Sequence, residues 1–537
     1  MELTLQGIKN NASEWKAKGY ALPTFDIDKV REATVKAPAW IHFGAGNIFR
    51  AFQCNVCQNL LNAGVLDRGL VVAEGYDYEI IDKMYRPHDN IGVLVTLKAS
   101  GNVEKTVVAS IMESLAADSN NDADWARLKE IFSNDSLQMV SFTITEKGYA
   151  LQNNAGIYAP FVEEDFAAGP GKPQSYMGKV SALVYERFVA GEKPVAMVSM
   201  DNCSHNGDKL FAAVHAFAEA WEKNGVCKPG FKAYVENKAK VSFPWTMIDK
   251  ITPRPDPSVE AILAADGLDV EPVVTAKKTF VAPFVNSEEC EYLVIEDSFP
   301  NGHPALEKGG VMFTERETVD KVEKMKVCTC LNPLHTALAV SGCLLGFEKI
   351  SEEMKDADQK KMVEIVGYKE GLPVVVDPGI IKPKDFIDQV VNIRIPNPFM
   401  PDTPQRIATD TSQKLAIRFG ETIKAYAKRD DLNVADLKVI PLVFALWLRY
   451  LMGVNDEGEK FELSPDPLLP QVTPVVAGVK LGEKFDVHAT VEPILSKAGI
   501  FGVNLYETPL AGKVEKFFEQ LCAGKGAVRK VIHENVQ

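Results

Sequence analysis

The sequence predicts an α/β nucleotide-binding domain followed by a mostly α-helical C-terminal domain. Three observations carry this reading. A strand, AWIHF, runs straight into the turn GAG and then into a helical pattern. Further apolar runs that end in polar residues follow, as the strands of a largely parallel sheet do. From about residue 321 the apolar period becomes helical and stays so.

With 537 residues and 46% hydrophobic content, the chain exceeds one compact core. Its expected division is 1–310 and 311–537, with the Pro- and Gly-rich piece EDSFPNGHPALEKGGV, 296–311, as the crossover. A net charge of −14 and a pI near 5.3 argue against nucleic-acid or anionic-membrane partners, which require clustered Lys and Arg, and leave small molecules. The start, MELTLQGIKNNASEWK, lacks the features of a signal peptide, and no apolar run of about 18 residues stands out, so the expected location is cytoplasmic. Nine scattered cysteines suggest reduced thiols. Cys54 and Cys57 form a C-x-x-C, but within an apolar helical run and without a second pair, which fits buried thiols better than zinc.

The helix after the first strand places Ile48, Phe52, Val56 and Leu60 at four-residue spacing, and strand, glycine turn, helix is the opening of a Rossmann-type domain. GLVVAEGYD, LQMVSFTITEKGY and KPVAMVSMDN read as three further buried strands. In the second half CLNPLHTALAVSGCLLGF, TSQKLAIRFGETIKAYAKR, LKVIPLVFALWLRYLMG and the final VEKFFEQLC run read as helices. FELSPDPLLPQVTPVVAG, 461–478, reads as an ordered surface excursion because apolar residues punctuate it.

Gly44 and Gly46 of the turn let the backbone approach a pyrophosphate, with Asn47 next in line and the helix dipole behind. The third fingerprint position holds Phe49, and Arg50 stands where a cation could reach phosphate. Taken alone, the segment also fits a tight turn in an unrelated α/β fold. Glu74 and Asp77, 28 and 31 residues beyond Gly46, are candidates for the adenosine ribose, favouring NAD over NADP; the alternative for Asp77 is a cap on the following helix.

The stretch MKVCTCLNPLHTAL sets Lys326, Asn332 and His335 close together. Hydride transfer from a secondary alcohol needs a base for the hydroxyl proton and donors aimed at the oxygen as it gains charge, and it needs no metal. Lysine can be that base where burial or neighbouring cations ease loss of its proton, and the amides of Asn202 and Asn332 are suitable donors.

This block resembles the signature K-x-x-x-x-N-x-x-H of the polyol-specific long-chain dehydrogenases, the mannitol dehydrogenase family, which includes fructuronate (mannonate) and tagaturonate reductases. GAGNIFRAF, TITEKGY, SMDNCSHNG, TMIDKITP, LVIEDSFPNGHP and RIPNPFMPDTPQRIATDTSQK are similar to family segments in the same order, so the resemblance spans about 38–425. It implies Lys326 as general acid/base, Asn202 and Asn332 as the oxyanion hole, and His335 as the group orienting substrate hydroxyls. It further implies Glu323 as a proton relay, Arg406 and Lys414 on the polyol chain or a terminal carboxylate, Asp249 supporting the pocket, and Thr145 and Glu146 near the nicotinamide. One departure stands out: five residues separate Lys326 from Asn332 where the family has four. A one-residue insertion turns the rest of a helix by about 100°, which a single wide turn absorbs, and Lys324 is the alternative lysine.

Three rival readings carry less. Tyr234 with Lys238 fits the Y-x-x-x-K of short-chain dehydrogenases, a match that 14 tyrosines make by accident. Cys203 and His205, with His335, suit a polar pocket better than zinc. A nucleotide or carbohydrate sensor of the same fold is the non-catalytic alternative. The sequence therefore points to an NAD-dependent, metal-independent dehydrogenase of a linear sugar derivative. HTAL after Asn332 resembles the uronate reductases more than the mannitol dehydrogenases, so the expected pair is D-mannonate/D-fructuronate, with mannitol/fructose and tagaturonate reduction as alternatives.

Overall fold

The computed structural model describes residues 1–537 as two units, Met1–Lys98 with Asn102–Asp320, and Ala99–Gly101 with Lys321–Gln537. The first is built on six strands: β1 (Trp40–Phe43), β2 (Leu70–Glu74), β3 (Ile111–Ala116), β4 (Met139–Phe142), β5 (Val195–Ser199) and β6 (Val241–Ser242). Their order is β3-β2-β1-β4-β5-β6 and every pairing is parallel, with Phe43 opposite both Ala73 and Phe142. This is the doubly wound Rossmann arrangement, whose order reverses beside β1 and leaves a crevice at the strand ends.

Successive side chains go to opposite faces, each feeding its own core. Ile41, Phe43, Val71, Ala73, Val140 and Phe142 pack with Leu128 and Phe132 of the helix Asp122–Ser133, Leu183 of α2 (Tyr176–Val189) and Phe217 of α3 (Asn206–Lys223). Trp40, Leu70, Val72 and Met139 face Phe49, Phe52, Val56 and Leu60, on the helical run that ends in α1 (Cys54–Asn62). Burial on both faces explains why β1, β2, β4 and β5 read as unbroken apolar runs. The remaining two strands were harder to see. β3 lies at the sheet edge and carries half-buried Glu113, paired with Arg127, while β6 is only two residues long.

The run into α1 opens with a π-helical turn, Phe49–Gln53, which buries Phe49 together with Phe52. His42 stacks on Phe49 at 4.2 Å, its ring nitrogens meeting the hydroxyls of Ser141 and Thr143, and burial holds its pKa down to about 3. The piece 296–311 lies inside this unit: Leu306 is in the core, and His303 stacks on Phe313 at 3.9 Å. Helix α4 (Arg316–Lys324) carries the chain onward, with the division at 320/321.

The second unit is helical. Its centre is α5 (Asn332–Leu345), packed on α6 (Val439–Tyr450), all twelve of whose residues are buried. TSQKLAIRFGETIKAYAKR is less regular than its pattern suggests: a 3₁₀ turn, a π turn at Ala416–Gly420 and the helix Glu421–Ala427. Gly420 lies against the backbone of Phe501 and Gly502, so closely that a Cβ there would meet the Phe501 carbonyl oxygen at 2.2 Å. The Pro-rich excursion contains the helix Leu469–Val476, anchored by buried Val472 and Val476. The helical stretch Arg316–Leu345 is long and apolar enough to cross a membrane, contrary to the expectation of no such run, yet 78% of its apolar window is buried as a core helix.

Candidate active site

At the end of β1 the backbone of Gly44 takes φ +105°, and a Cβ there would lie 2.2 Å from the Thr143 carbonyl oxygen, so only glycine makes this turn. Gly46 faces open space, with no atom within 4 Å of where a Cβ would stand, and the helical run begins at Asn47. This is a cradle that a side chain would fill and a pyrophosphate fits, ahead of N–H groups at a helix start. The turn is held from behind. Ala45 N–H donates to Glu74 Oε2 at 2.9 Å, and the Tyr85 hydroxyl donates to the Ala45 carbonyl at 2.9 Å.

Three of the expected cofactor residues have other work. Arg50 does not face the turn as a phosphate-reaching cation: its buried guanidinium donates to the Ala282 carbonyl at 2.8 Å and lies 6.0 Å from the Tyr85 ring. The wide turn that buries Phe49 also carries Arg50 inward. Glu74 is buried at the end of β2, and its second oxygen accepts the N–H groups of Tyr76 (2.7 Å) and Asp77 (3.1 Å). Asp77 is buried as well, its carboxylate accepting the Thr275 hydroxyl at 2.5 Å.

Beyond β4, Thr145 has φ +64° and Glu146 is exposed, paired with Lys209 at 2.9 Å. Asp201 holds this loop through the N–H groups of Ile144 (3.0 Å) and Thr145 (2.9 Å) and the Tyr149 hydroxyl (2.5 Å). Burial nonetheless keeps the Asp201 carboxyl above the usual range. Asn202, next in the chain, is exposed. Fully buried Asn206 donates to the Asp201 carbonyl (2.9 Å) and the Thr246 hydroxyl (2.8 Å) and accepts Thr246 N–H (3.0 Å). It thereby fixes the strand Thr246–Asp249 that ends in buried Asp249.

In the second unit the residues Met325–Cys330 form a π turn, closed by Leu331 N–H donating to the Lys326 carbonyl at 3.1 Å. A π turn bonds across five residues instead of four, so it takes up the extra residue between Lys326 and Asn332. Lys326 is 5% exposed, whereas Lys324 lies on the exposed side of the helix. Glu323 is half-buried, and Asn332 and His335, also half-buried, follow three residues apart at the start of α5.

The same helix start meets a group the sequence reading omitted. Arg418 Nη1 donates to the Thr336 hydroxyl and approaches the Asn332 carbonyl at 3.5 Å, and Thr336 Oγ1 donates to that carbonyl at 3.0 Å. Burial lowers the Arg418 pKa to about 10. Burial, with help from Arg418 and Arg406, also lowers that of Lys414, whose ammonium donates to the Thr409 carbonyl. Exposed Arg406 is paired with Asp402, one turn away, while neither Lys414 nor Arg418 has a carboxylate partner. Arg418 stands four residues after Lys414, a one-turn spacing visible in the sequence.

Asp201 and Asn206 had a weaker signal, since polar residues flanking a strand end serve many purposes. Tyr234 and Lys238, the rival pair, are not a catalytic dyad: the buried Tyr234 hydroxyl donates to the Lys193 carbonyl at 2.6 Å, while Lys238 is exposed. His205 stacks on Trp245 at 4.1 Å.

Comparison with known proteins agrees with this architecture. Residues 38–308 match the family model of the mannitol dehydrogenase Rossmann domain, and residues 318–522 that of the mannitol dehydrogenase C-terminal domain. The chain is 53% identical to a D-mannonate oxidoreductase of Thermotoga maritima over 100% of this chain and 99% of that one. Among solved structures it is similar to Pseudomonas fluorescens mannitol 2-dehydrogenase in ternary complex with NAD and D-mannitol, with a TM-score of 0.67 and 26% identity over 99% of both chains. A substrate-free D-sorbitol dehydrogenase shares the fold, with a TM-score of 0.75 and 24% identity over 97% of this chain and 98% of that one. With two domain models covering most of its length and a full-length relative at 53% identity, this chain belongs to the mannitol dehydrogenase family.

Proposed function

We propose that this chain is the NAD-dependent oxidoreductase that interconverts D-mannonate and its keto acid, D-fructuronate. The observation that carries the reading is full-length 53% identity to a D-mannonate oxidoreductase. The charge arrangement supports it. Lys414 and Arg418 are cations without carboxylate partners, and Arg406 lies near enough to act on Lys414. Asp410 and Asp466 offset part of the Lys414 charge without forming an ion pair with it; a substrate carboxylate would pair with Lys414 and Arg418 directly, which a neutral polyol cannot do.

Gly44, Gly46 and Asn47 would hold NAD by its pyrophosphate, and the nicotinamide would supply the acceptor for the hydride of the carbinol carbon. The chain's own residues manage the proton and the oxygen. Lys326 takes the hydroxyl proton during oxidation and returns it during reduction, and half-buried Glu323, three residues earlier, passes it to water. The amides of Asn202 and Asn332 donate to the oxygen as its negative charge grows, which is the interaction that lowers the barrier. His335 orients the neighbouring hydroxyls, Arg406, Lys414 and Arg418 fix the carboxylate end, and Asp249 supports the pocket. Thr145 and Glu146 border the nicotinamide, and Gly44, Gly46 and Asn47 carry the pyrophosphate. The scattered cysteines, read from the sequence as reduced, support a cytoplasmic location.

The test is NADH oxidation with D-fructuronate, D-tagaturonate and D-fructose at fixed NADH. We expect kcat/KM for D-fructuronate to exceed that for D-fructose by about 100-fold or more, the worth of charge-assisted hydrogen bonds to a carboxylate. Equal use of fructose would shift the assignment to a mannitol 2-dehydrogenase, and preference for tagaturonate to a tagaturonate reductase.

A further inference from the structure

Arg50 is a buried cation without a counter-ion. Its side chain lies inside the first unit with the residue only 8% exposed, and Nη1 donates to the Ala282 carbonyl at 2.8 Å. Gly92 packs against the opposite edge of the guanidinium, where a Cβ would stand 3.3 Å from Nη2. No carboxylate is paired with it. The two ionisable groups beside it, Cys54 and Tyr85, are both pushed well up by burial and so stay neutral. A charge taken out of water in this way is costly unless an opposite charge meets it.

The guanidinium borders a cavity of about 20 Å³, room for a single water-sized occupant. Met84, Ile91, Val108, Ile111 and Val285 give it apolar walls. Asn90 lines it too, at φ +64°, and its Oδ1 accepts the Ser114 hydroxyl at 2.7 Å, so the group it has left to offer is an amide N–H donor. The Tyr85 hydroxyl donates to the Ala45 carbonyl. The cavity therefore joins a fixed positive charge to an N–H donor, and no carboxylate lines it. That composition repels a metal cation. Its small volume excludes phosphate and sulfate, and its apolar walls suit an anion that gives up its water cheaply.

We infer that this cavity is a halide site, in which chloride pairs with the Arg50 guanidinium. The ion acts on the fold and not in the reaction. Arg50 N–H donates to the Gly46 carbonyl at 3.2 Å and Tyr85 holds Ala45 at 2.9 Å, so two residues of the cavity are also braces of the glycine turn. The inference is independent of the substrate.

Thermal unfolding of the intact protein in sodium chloride and in sodium methanesulfonate, at equal ionic strength, tests it. We expect chloride to raise Tm by about 2 °C or more between about 5 and 100 mM, growing with the logarithm of its concentration as one bound ion requires, and bromide to do the same. Arg50→Leu should abolish the difference between the salts. Lys83→Ala, which removes an exposed cation from the turn that carries Tyr85, should keep it. Because Arg50→Leu also loses the Ala282 contact and can fail to fold, crystals of the wild type soaked in bromide give a second reading. An anomalous peak beside the Arg50 guanidinium supports the site, and peaks elsewhere only, or none, overturn it. Equal wild-type Tm in the two salts, or a chloride response that survives in Arg50→Leu, overturns it as well. The dinucleotide-binding reading stands or falls separately.

Discussion

The carboxylate of Asp201 accepts the backbone N–H of Thr145 at 2.9 Å, and Thr145 is held at φ +64°, a left-handed conformation that a β-branched residue adopts only under constraint. The same carboxylate takes Ile144 N–H and the Tyr149 hydroxyl, so one half-buried side chain shapes the loop beyond β4.

Asp201→Ala removes the acceptor for three donors and frees Thr145 to relax. We expect a loss of about 3 kcal/mol in stability by chemical denaturation and a raised KM for NADH. Asp201→Asn keeps part of the acceptor set and should lie between. If Asp201→Ala keeps wild-type stability and KM, the loop is held by other contacts.

Lys326→Ala should lower turnover by about 10² to 10⁴ with NADH binding unchanged, the range that general acid–base catalysis supplies. Lys324→Ala, on the exposed side, should stay within about twofold, since solvated surface substitutions have small effects. Wild-type turnover in Lys326→Ala would transfer the role elsewhere.

The π turn at Met325–Cys330 makes a structural forecast of its own. Deleting Val327 restores the four-residue interval and should convert the π turn to an α turn without changing the number of backbone hydrogen bonds. The deletion variant is expected to fold with a circular dichroism spectrum like that of the wild type and to keep measurable turnover. Loss of helical signal would mean that the wide turn is held by its side chains and not merely by the extra residue.

Arg418→Met should raise KM for D-fructuronate by about tenfold or more while leaving KM for a neutral ketose nearly unchanged, as loss of a charge-assisted bond to a carboxylate requires. Thr336→Val removes the hydroxyl that Arg418 engages and should show the same selectivity, more weakly. Equal effects on both substrates would make Arg418 a brace for α5 alone.

Glu353 is fully buried against Gly342, and neither carboxyl oxygen has a hydrogen-bond partner, so burial drives its pKa well above the carboxylate range. Because the folded pKa is raised, the acid form favours folding. Its contribution is whole below the unfolded pKa and is lost as pH rises, at up to about 1.4 kcal/mol per pH unit, until the folded pKa is reached. Glu353→Gln should flatten the fall in stability between about pH 5 and pH 7, since an amide does not titrate there. An unchanged slope in Glu353→Gln denaturation profiles would assign that pH dependence to another group.

Much of this was legible beforehand, and the failures have physical causes. Four of the six sheet strands are continuous apolar runs because both their faces are covered, whereas β3 carries Glu113 at an edge and β6 is too short to show a pattern. Arg50 sits at the right distance from Gly46 for a phosphate contact, but spacing along a chain does not say which way a side chain turns, and the π turn carries it toward Ala282. Glu74 marks the end of β2 as expected; that its oxygens would be taken by three backbone N–H groups depends on how Ala45 and Tyr76 come to lie beside it.

By itself the sequence determined the α/β and helical halves, the glycine turn, the family and the order of Lys326, Asn332 and His335, because period, turn chemistry and local spacing are properties of neighbouring residues. Only the tertiary structure decided which polar groups are already occupied: that Glu74 and Asp77 accept groups of the protein itself, that Arg50 is inside, and that Lys414 and Arg418 form no ion pair. Occupancy is a matter of distances across the fold between residues far apart in the chain, such as Asn332 and Arg418 or Asp77 and Thr275, and no local pattern encodes it.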